Sequence, residues 1–160
     1  GLTGFELMWD NYYNKVLETI ASLTDPLEGA FPFYLLVEYK DNDAELGSER
    51  FESALFEQLE SGVITNAVIA KSHQDAAIFW QIRDGIGELL QVLGPVSNQD
   101  VSLPISEIGS FAKDLKERLV AKYPNISLLL LGILAITICM PLPTPDLKKI
   151  NLKLIMTLCS

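Results

Sequence analysis

The stretch that most constrains the fold of this chain is an amphipathic run between Ser72 and Pro95. Ser72 and Asp75 have the S-x-x-D spacing of a helix-capping box, in which a serine oxygen and a carboxylate satisfy free N–H groups of the first turn. Apolar residues then recur close to the helical period until Gly94-Pro95: Ala76, Phe79, Trp80, Ile82, Ile86, Leu89, Leu90 and Leu93. The sequence therefore predicts a helix that buries one face.

The same helix carries a cation beside an aromatic residue. Trp80 and Arg83 are three residues apart, so their side chains lie on the same side of the helix. A guanidinium there can hold a carboxylate with two parallel hydrogen bonds. The alternative is a surface arginine that pairs with a neighbouring acid, as most helical arginines do. The spacing alone leaves both interpretations open.

Composition favours one globular domain and excludes some classes of partner. Of the 160 residues, 49% are hydrophobic and 21% are charged, which are values typical of a folded domain with an ordinary core. Twelve basic residues against 21 acidic ones give a net charge of −9, so no nucleic acid partner is expected. A small anionic ligand is still compatible with this charge, because one desolvated arginine can dominate the field of a pocket.

No targeting or redox signal stands out in the sequence. The opening GLTGFELMWD lacks the basic and apolar regions of a secretory signal, so a cytoplasmic location is predicted, or a mitochondrial one in a eukaryote. Cys139 and Cys159 are the two cysteines, and no metal-like spacing joins them to His73. The sequence leaves the oligomeric state open.

Strand and helix patterns alternate along the chain. Strands are predicted at 2–8, 33–39, 67–70 and 101–103, with another from Ile126, and helices at 9–23, 45–60, 72–93 and 106–123. Residues 33–39 are so apolar and β-prone that a central strand is expected. This order predicts an α+β fold of ferredoxin-like type, with a mostly antiparallel sheet and helices packed on one face. Gly85-x-Gly87 falls inside a predicted helix, so it is not interpreted as a nucleotide-binding loop.

Several separated motifs give the chain a resemblance to a known family. FWQIRD, followed by DVSLPIS, resembles the C-terminal domain of the FAD-linked oxidases and dehydrogenases of D-2-hydroxy acids, which act on D-lactate, D-2-hydroxyglutarate or glycolate. GFELMWDNYY and PFYLLVEY fall where that domain has its first two strands. The resemblance covers about Leu2 to Asn125. We therefore assign 1–125 to an incomplete substrate-cap domain, and 126–160 to an apolar strand followed by an aberrant tail.

The resemblance implies a fragment of an FAD-dependent oxidoreductase that moves a hydride from a D-2-hydroxy acid to flavin. A separate N-terminal domain would bind most of the FAD, and the domain seen here would close over the flavin as a cap. Arg83 matches the family arginine that grips the substrate carboxylate. The resemblance also assigns to substrate binding Asp100 and Ser102, which line the corresponding strand, and Asn98, which comes two residues before Asp100. Asp100 is explained equally well as a turn or capping residue. No catalytic residue is assigned, and the chain is expected to be inactive alone.

The chain also departs from the family pattern. Asn98 stands where the family often has a lysine, and Gly87 where it often has a hydroxyl residue, and both departures argue against a second carboxylate grip. The family continues with a GHxGDxNLH motif whose histidines are implicated in binding a divalent metal and the substrate. This chain has no histidine after His73, so such a metal is implied for an intact parent protein only.

The genetic code suggests a reason for the missing motif. Codons for Gly132 to Met140 can be chosen so that an alternative reading frame encodes HIGDNNLH. We therefore hypothesise that residues from about Leu131 onward are a frameshifted translation and that the tail is loosely attached. The apolar run 126–140 is too short for a membrane span, which needs roughly 20 apolar residues. The alternative function is a stand-alone, non-catalytic binding or interaction module of ferredoxin-like fold.

Overall fold

A computed structural model describes residues 1–93, 96–97, 99–133 and 152–158, with the backbone alone at 44, 45, 133 and 152–158. The strands in these ranges are β1 (Leu2–Trp9), β2 (Phe33–Tyr39), β3 (Ile64–Ile69), β4 (Leu131–Ile133) and β5 (Leu152–Leu158). The helices in these ranges are α1 (Asp10–Thr19), α2 (Ala44–Glu60), α3 (His73–Asp84), α4 (Ile86–Val92) and α5 (Ile105–Lys122). The elements up to β3 follow the predicted order closely.

The strands form one sheet in the order β3-β5-β2-β1-β4. β1 is antiparallel to both of its neighbours, with Leu7 opposite Leu35 of β2 and Gly132 of β4. β5 is parallel to both β2 and β3, so the sheet is mixed. The α+β class predicted from the sequence is confirmed, and the antiparallel part of the sheet consists of β2, β1 and β4.

The helices lie on both faces of this sheet, whereas one face was expected. Tyr34 and Leu36 of β2 belong to a larger core that includes residues of α1, α3 and α4. Leu35 and Val37, which point the opposite way, pack with α2 in a smaller core. The physical reason is that four consecutive residues of β2 are buried, so the strand needs cover on each side.

The larger core joins α1 and α3 to the sheet through aromatic and aliphatic side chains. Its buried members are Met8, Tyr12, Tyr13, Val16, Leu27, Tyr34, Leu36, Ala70, Ala76, Phe79, Ile82 and Leu89. The rings of Tyr13 and Tyr34 stack with their centroids 3.6 Å apart, and the Tyr13 hydroxyl donates to Asp25 Oδ1 at 2.6 Å. These contacts hold α1 against β2.

The central helix begins as predicted and breaks at Gly85. The Ser72 hydroxyl accepts a hydrogen bond from the Asp75 N–H at 3.1 Å, which confirms the predicted N-cap. A Cβ built on Gly85 would lie 2.6 Å from Val16 Cγ1, because α1 passes directly over this point. One helix was predicted over 72–93, and the structure has α3 and α4 instead, since periodicity does not reveal a tertiary contact that requires glycine.

Two elements after α4 differ from the prediction. Residues 101–103 form no strand: Val101 is 58% exposed, and none of the described strands pairs with this short run. The sequence predicts Ser106 as the N-cap of a helix from Glu107, whereas α5 starts two residues earlier, at Ile105, with Pro104 as its N-cap residue. Pro104 has a φ of −56° and a ψ of 140°, an extended conformation suited to a helix entrance. None of the helices described in the structure is long and apolar enough to cross a membrane.

The C-terminal segment 152–158 occupies a central place in the sheet as β5. It lies between β2 and β3, which α2 connects, and supplies both with backbone partners. This differs from the expectation of a loosely attached tail, and the physical reason is that β2 and β3 otherwise leave a row of N–H and C=O groups unpaired between them. The frameshift hypothesis concerns coding DNA, and most of the segment to which it applies, residues 134–151, lies outside the described residues. Gly94 and Pro95, where the sequence predicts the end of the central helix, lie outside them too.

Candidate functional site around Arg83

Arg83 is held by two carboxylates in the structure. Its Nε and Nη2 atoms donate to the same oxygen, Oε2 of Glu6, at 3.0 and 2.9 Å, and Nη1 donates to Asp84 Oδ1 at 2.7 Å. Glu6 comes from β1 and is 7% exposed, whereas the Asp84 side chain is 59% exposed. The guanidinium therefore has one buried partner on the sheet and one exposed partner on its own helix.

The backbone of Arg83 is also fixed, by α1. The Tyr12 hydroxyl donates to the carbonyl oxygen of Arg83 at 2.6 Å. That carbonyl is in the last turn of α3, where helical carbonyls have no partner within the helix. Burial raises the pKa of Tyr12 to about 12, so the hydroxyl keeps its proton at neutral pH. Tyr12 thus holds the end of α3 in place under physiological conditions.

Replacing Tyr12 with phenylalanine tests this anchor. We expect the free energy of unfolding to fall by about 1–2 kcal/mol, because the carbonyl of Arg83 loses a buried partner. Urea denaturation followed by circular dichroism measures the change. Tyr123→Phe is the control, since Tyr123 is 50% exposed and its loss should have little effect. Equal stabilities of the two variants would contradict the anchoring role.

Trp80 docks on the same strand as Arg83, one turn away. A Cβ built on Gly4 would lie 3.3 Å from Trp80 Cζ2, so the absence of a side chain at Gly4 gives the indole its place. Gly4 and Glu6 are two residues apart on β1 and face the same side of the sheet. Trp80 and Arg83 therefore both rest on β1, as expected for two residues on one side of the helix.

Burial and charge act in opposite directions on Glu6. Desolvation raises the pKa of the Glu6 carboxyl above its ordinary value, while hydrogen bonding to Arg83 and its positive charge oppose that rise. Burial outweighs the opposing effects, so the pKa is raised overall. When Glu6 is ionised, the group of Glu6, Arg83 and Asp84 carries one positive and two negative charges.

The raised pKa of Glu6 predicts a specific pH dependence. The folded chain binds the Glu6 proton more tightly than the unfolded chain does, so the contribution of Glu6 to the free energy of unfolding is full below the unfolded pKa. It falls as pH rises from there through the folded pKa. The Glu6→Gln variant lacks this titration, so its stability should increase relative to wild type over that range. Urea denaturation at several pH values tests this, and parallel curves would contradict it.

Within the described part of the chain, no hydrogen bond links Arg83 to the other predicted site residues. Asp100 and Ser102 are exposed in a stretch without regular secondary structure, and Asn98 lies outside the described residues. The partners that sequence reasoning missed are Glu6 and Tyr12. A signal for Glu6 existed in the alternation of β1, since an acid follows Gly4 by two residues and precedes the buried Met8 by two.

The described residues do not fit a metal or the phosphates of FAD. No group of three or more His, Cys, Asp or Glu residues among them could hold a metal ion. Gly85 is explained by its contact with Val16, and Gly87 lies exposed within α4, so this pair forms no phosphate-binding loop. Two surface depressions lie at Lys122–Ile126 and along the outer face of α2, and Arg83 lines neither.

The family is shown by comparison with known proteins. The model of the family described as FAD linked oxidases, C-terminal domain, matches residues 1–140. The chain belongs to this family, which confirms the resemblance that FWQIRD and DVSLPIS indicated. The match covers most of the chain, including β1 and α3, which carry Glu6 and Arg83.

Three relatives illustrate the range of the family. The chain is 36% identical over 118 residues to a mitochondrial D-2-hydroxyglutarate dehydrogenase of Arabidopsis thaliana, covering 74% of this chain and 21% of the relative. It is 32% identical over 120 residues to a putative mitochondrial D-lactate dehydrogenase of Schizosaccharomyces pombe, covering 74% of this chain and 23% of the relative. It is 30% identical over 134 residues to a D-2-hydroxyglutarate dehydrogenase of Stutzerimonas stutzeri, covering 82% of this chain and 28% of the relative. The chain thus spans under a third of these relatives, and no solved structure matches it.

Proposed function

We propose that this chain is the substrate-binding cap domain of an FAD-dependent enzyme that oxidises a D-2-hydroxy acid by hydride transfer to flavin. The observation that carries the proposal is the family match over residues 1–140. Relatives named as D-2-hydroxyglutarate and D-lactate dehydrogenases support the substrate class. The cofactor would be held mainly by an N-terminal domain of a longer parent protein, since the chain spans under a third of its relatives' length.

Arg83 is the residue we assign to the substrate carboxylate. A guanidinium has five N–H groups, and the three hydrogen bonds to Glu6 and Asp84 use three of them. Among the described residues, two N–H groups, one on Nη1 and one on Nη2, are left for a further acceptor, and the Arg83 side chain is 21% exposed. A carboxylate is an acceptor suited to a guanidinium, because two donors on different nitrogens of the guanidinium can match its two oxygens.

The finer assignments of the site are part of the same proposal. We assign Asp100, Ser102 and Asn98 to the substrate side of the cap because of their place in the family motif. The division into a cap domain at 1–125 and a tail at 126–160 stays a prediction, as does a divalent metal in the parent protein. Eukaryotic relatives are named as mitochondrial, so we propose a mitochondrial location in a eukaryote and a cytoplasmic one otherwise.

A ligand titration of the purified chain tests the proposed function. D-2-hydroxyglutarate and D-lactate should both shift the NMR signals around Arg83, whereas the methyl ester of D-lactate, which lacks the carboxylate, should not. Arg83→Lys should weaken binding about tenfold, because lysine keeps the charge and loses the planar pair of donors. Added FAD should produce no oxidation. Equal responses to acid and ester would contradict the carboxylate role and favour a stand-alone interaction module.

A further inference from the structure

Two carboxylates contact Arg83, and the structure gives them different surroundings. Asp84 is the next residue along the chain and its side chain is largely exposed. Glu6 is 77 positions away in sequence, lies on a strand, and is buried. An exposed acid next to an arginine is common, but a buried acid is costly to keep ionised. The burial of Glu6 therefore calls for an explanation beyond charge balance.

The geometry of the Glu6 contact restricts the orientation of the guanidinium. Nε and Nη2 both donate to one oxygen, at nearly equal distances of 3.0 and 2.9 Å, so the edge that carries these two atoms must face Glu6. Glu6 itself is on β1, which is paired with β2 on one side and β4 on the other. Because β1 is paired on both sides, its place in the sheet fixes the direction in which Arg83 presents its other N–H groups.

We infer that Glu6 is a positioning residue for Arg83, which aims the two remaining N–H groups of the guanidinium at a ligand carboxylate. This inference rests on the proposed function, because it takes Arg83 to be the carboxylate-binding residue. Tyr12 and Gly85 support the same arrangement from the backbone side: one binds the Arg83 carbonyl and the other packs on α1. Glu6 would not touch the substrate, so it is not a catalytic residue.

If Glu6 acted only through its charge, the effect of its removal on ligand binding would be the opposite of that expected for a positioning residue. The negative charge of Glu6 repels an anionic ligand, so its removal would tighten binding if charge were all that mattered. Glu6→Gln and Glu6→Met are both neutral and similar in length, but glutamine keeps an oxygen that accepts hydrogen bonds and methionine keeps only a weakly accepting sulfur. Comparing these two variants separates the orienting hydrogen bonds from the charge.

The experiment measures two quantities on the 160-residue chain and its variants. The first is the NMR signal of the Arg83 Nε–H group, assigned by its absence from Arg83→Lys. The second is the dissociation constant for D-2-hydroxyglutarate, measured well below the unfolding temperature of every variant. Glu6→Gln should keep the Nε–H signal and bind at least as tightly as wild type. Glu6→Met should lose the signal and bind about tenfold more weakly than Glu6→Gln.

The outcomes separate the inference from the function on which it rests. If Arg83→Lys weakens binding but Glu6→Gln and Glu6→Met bind equally, Glu6 does not position Arg83 and the proposed function stands. If Arg83→Lys binds like wild type, or wild type does not bind, the assigned role of Arg83 fails and the inference fails with it. Should Glu6→Met not fold, Glu6→Asp replaces it. Aspartate keeps the charge but withdraws the oxygen, so binding weaker than wild type supports positioning and equal binding overturns it.

Discussion

Replacing Arg83 with methionine is expected to lower the free energy of unfolding by about 3–5 kcal/mol at neutral pH, because it leaves the buried Glu6 without its counter-charge. Thermal and urea denaturation measure the loss. The penalty should shrink as pH falls, since a protonated Glu6 needs no counter-charge and the pKa of Glu6 is already raised by burial. This dependence on pH is specific to the loss of a buried ion pair.

A surface ion pair provides the matched control for this variant. Lys15 and Glu18 form an ion pair within α1, and their side chains are 40% and 66% exposed. Lys15→Met should therefore change stability by no more than about 1 kcal/mol. Combining Arg83→Met with Glu6→Gln should recover part of the loss, because no uncompensated charge is then buried. If Arg83→Met and Lys15→Met lowered the free energy of unfolding by the same small amount, the Glu6–Arg83 pair would contribute no more than a surface contact.

Gly85→Ala is expected to destabilise the chain by about 1–3 kcal/mol, because the added methyl group would enter space already occupied by Val16. Val16 is fully buried and β-branched, so it has little freedom to move aside. Gly85 is also the C-cap residue of α3, two positions after Arg83. We therefore expect weaker binding of D-2-hydroxy acids together with the loss of stability, measured by urea denaturation and by ligand titration.

Gly87→Ala is the control for the glycine prediction, and its effect should have the opposite sign. A Cβ at Gly87 would meet no atom within 4 Å, and Gly87 lies within α4. Alanine is a better helix former than glycine, so the variant should gain about 0.5–1 kcal/mol. A Gly85→Ala variant as stable as wild type would contradict the close contact between Gly85 and Val16. A destabilised Gly87→Ala would show that the loss of stability is not specific to that contact.

Local patterns along the chain predicted the elements whose cause is local. The Ser72 cap forms because serine and Asp75 are three residues apart, and β2 is central because its apolar run needs cover on both faces. The family resemblance also depended on short strings and was confirmed over residues 1–140. Patterns failed at residues 101–103, where alternating polarity predicted a strand but none of the described strands pairs with these residues.

The sequence by itself determined the α+β class, the start of α3 and the placement of Trp80 and Arg83 on one side of it. Only the tertiary structure decided what holds that arginine and where its helix stops. Glu6 meets Arg83 because β1 lies beneath α3, and Gly85 is needed because α1 crosses at that point. Both contacts join residues far apart in the chain, and the periodicity of one segment contains no information about which segment packs against it.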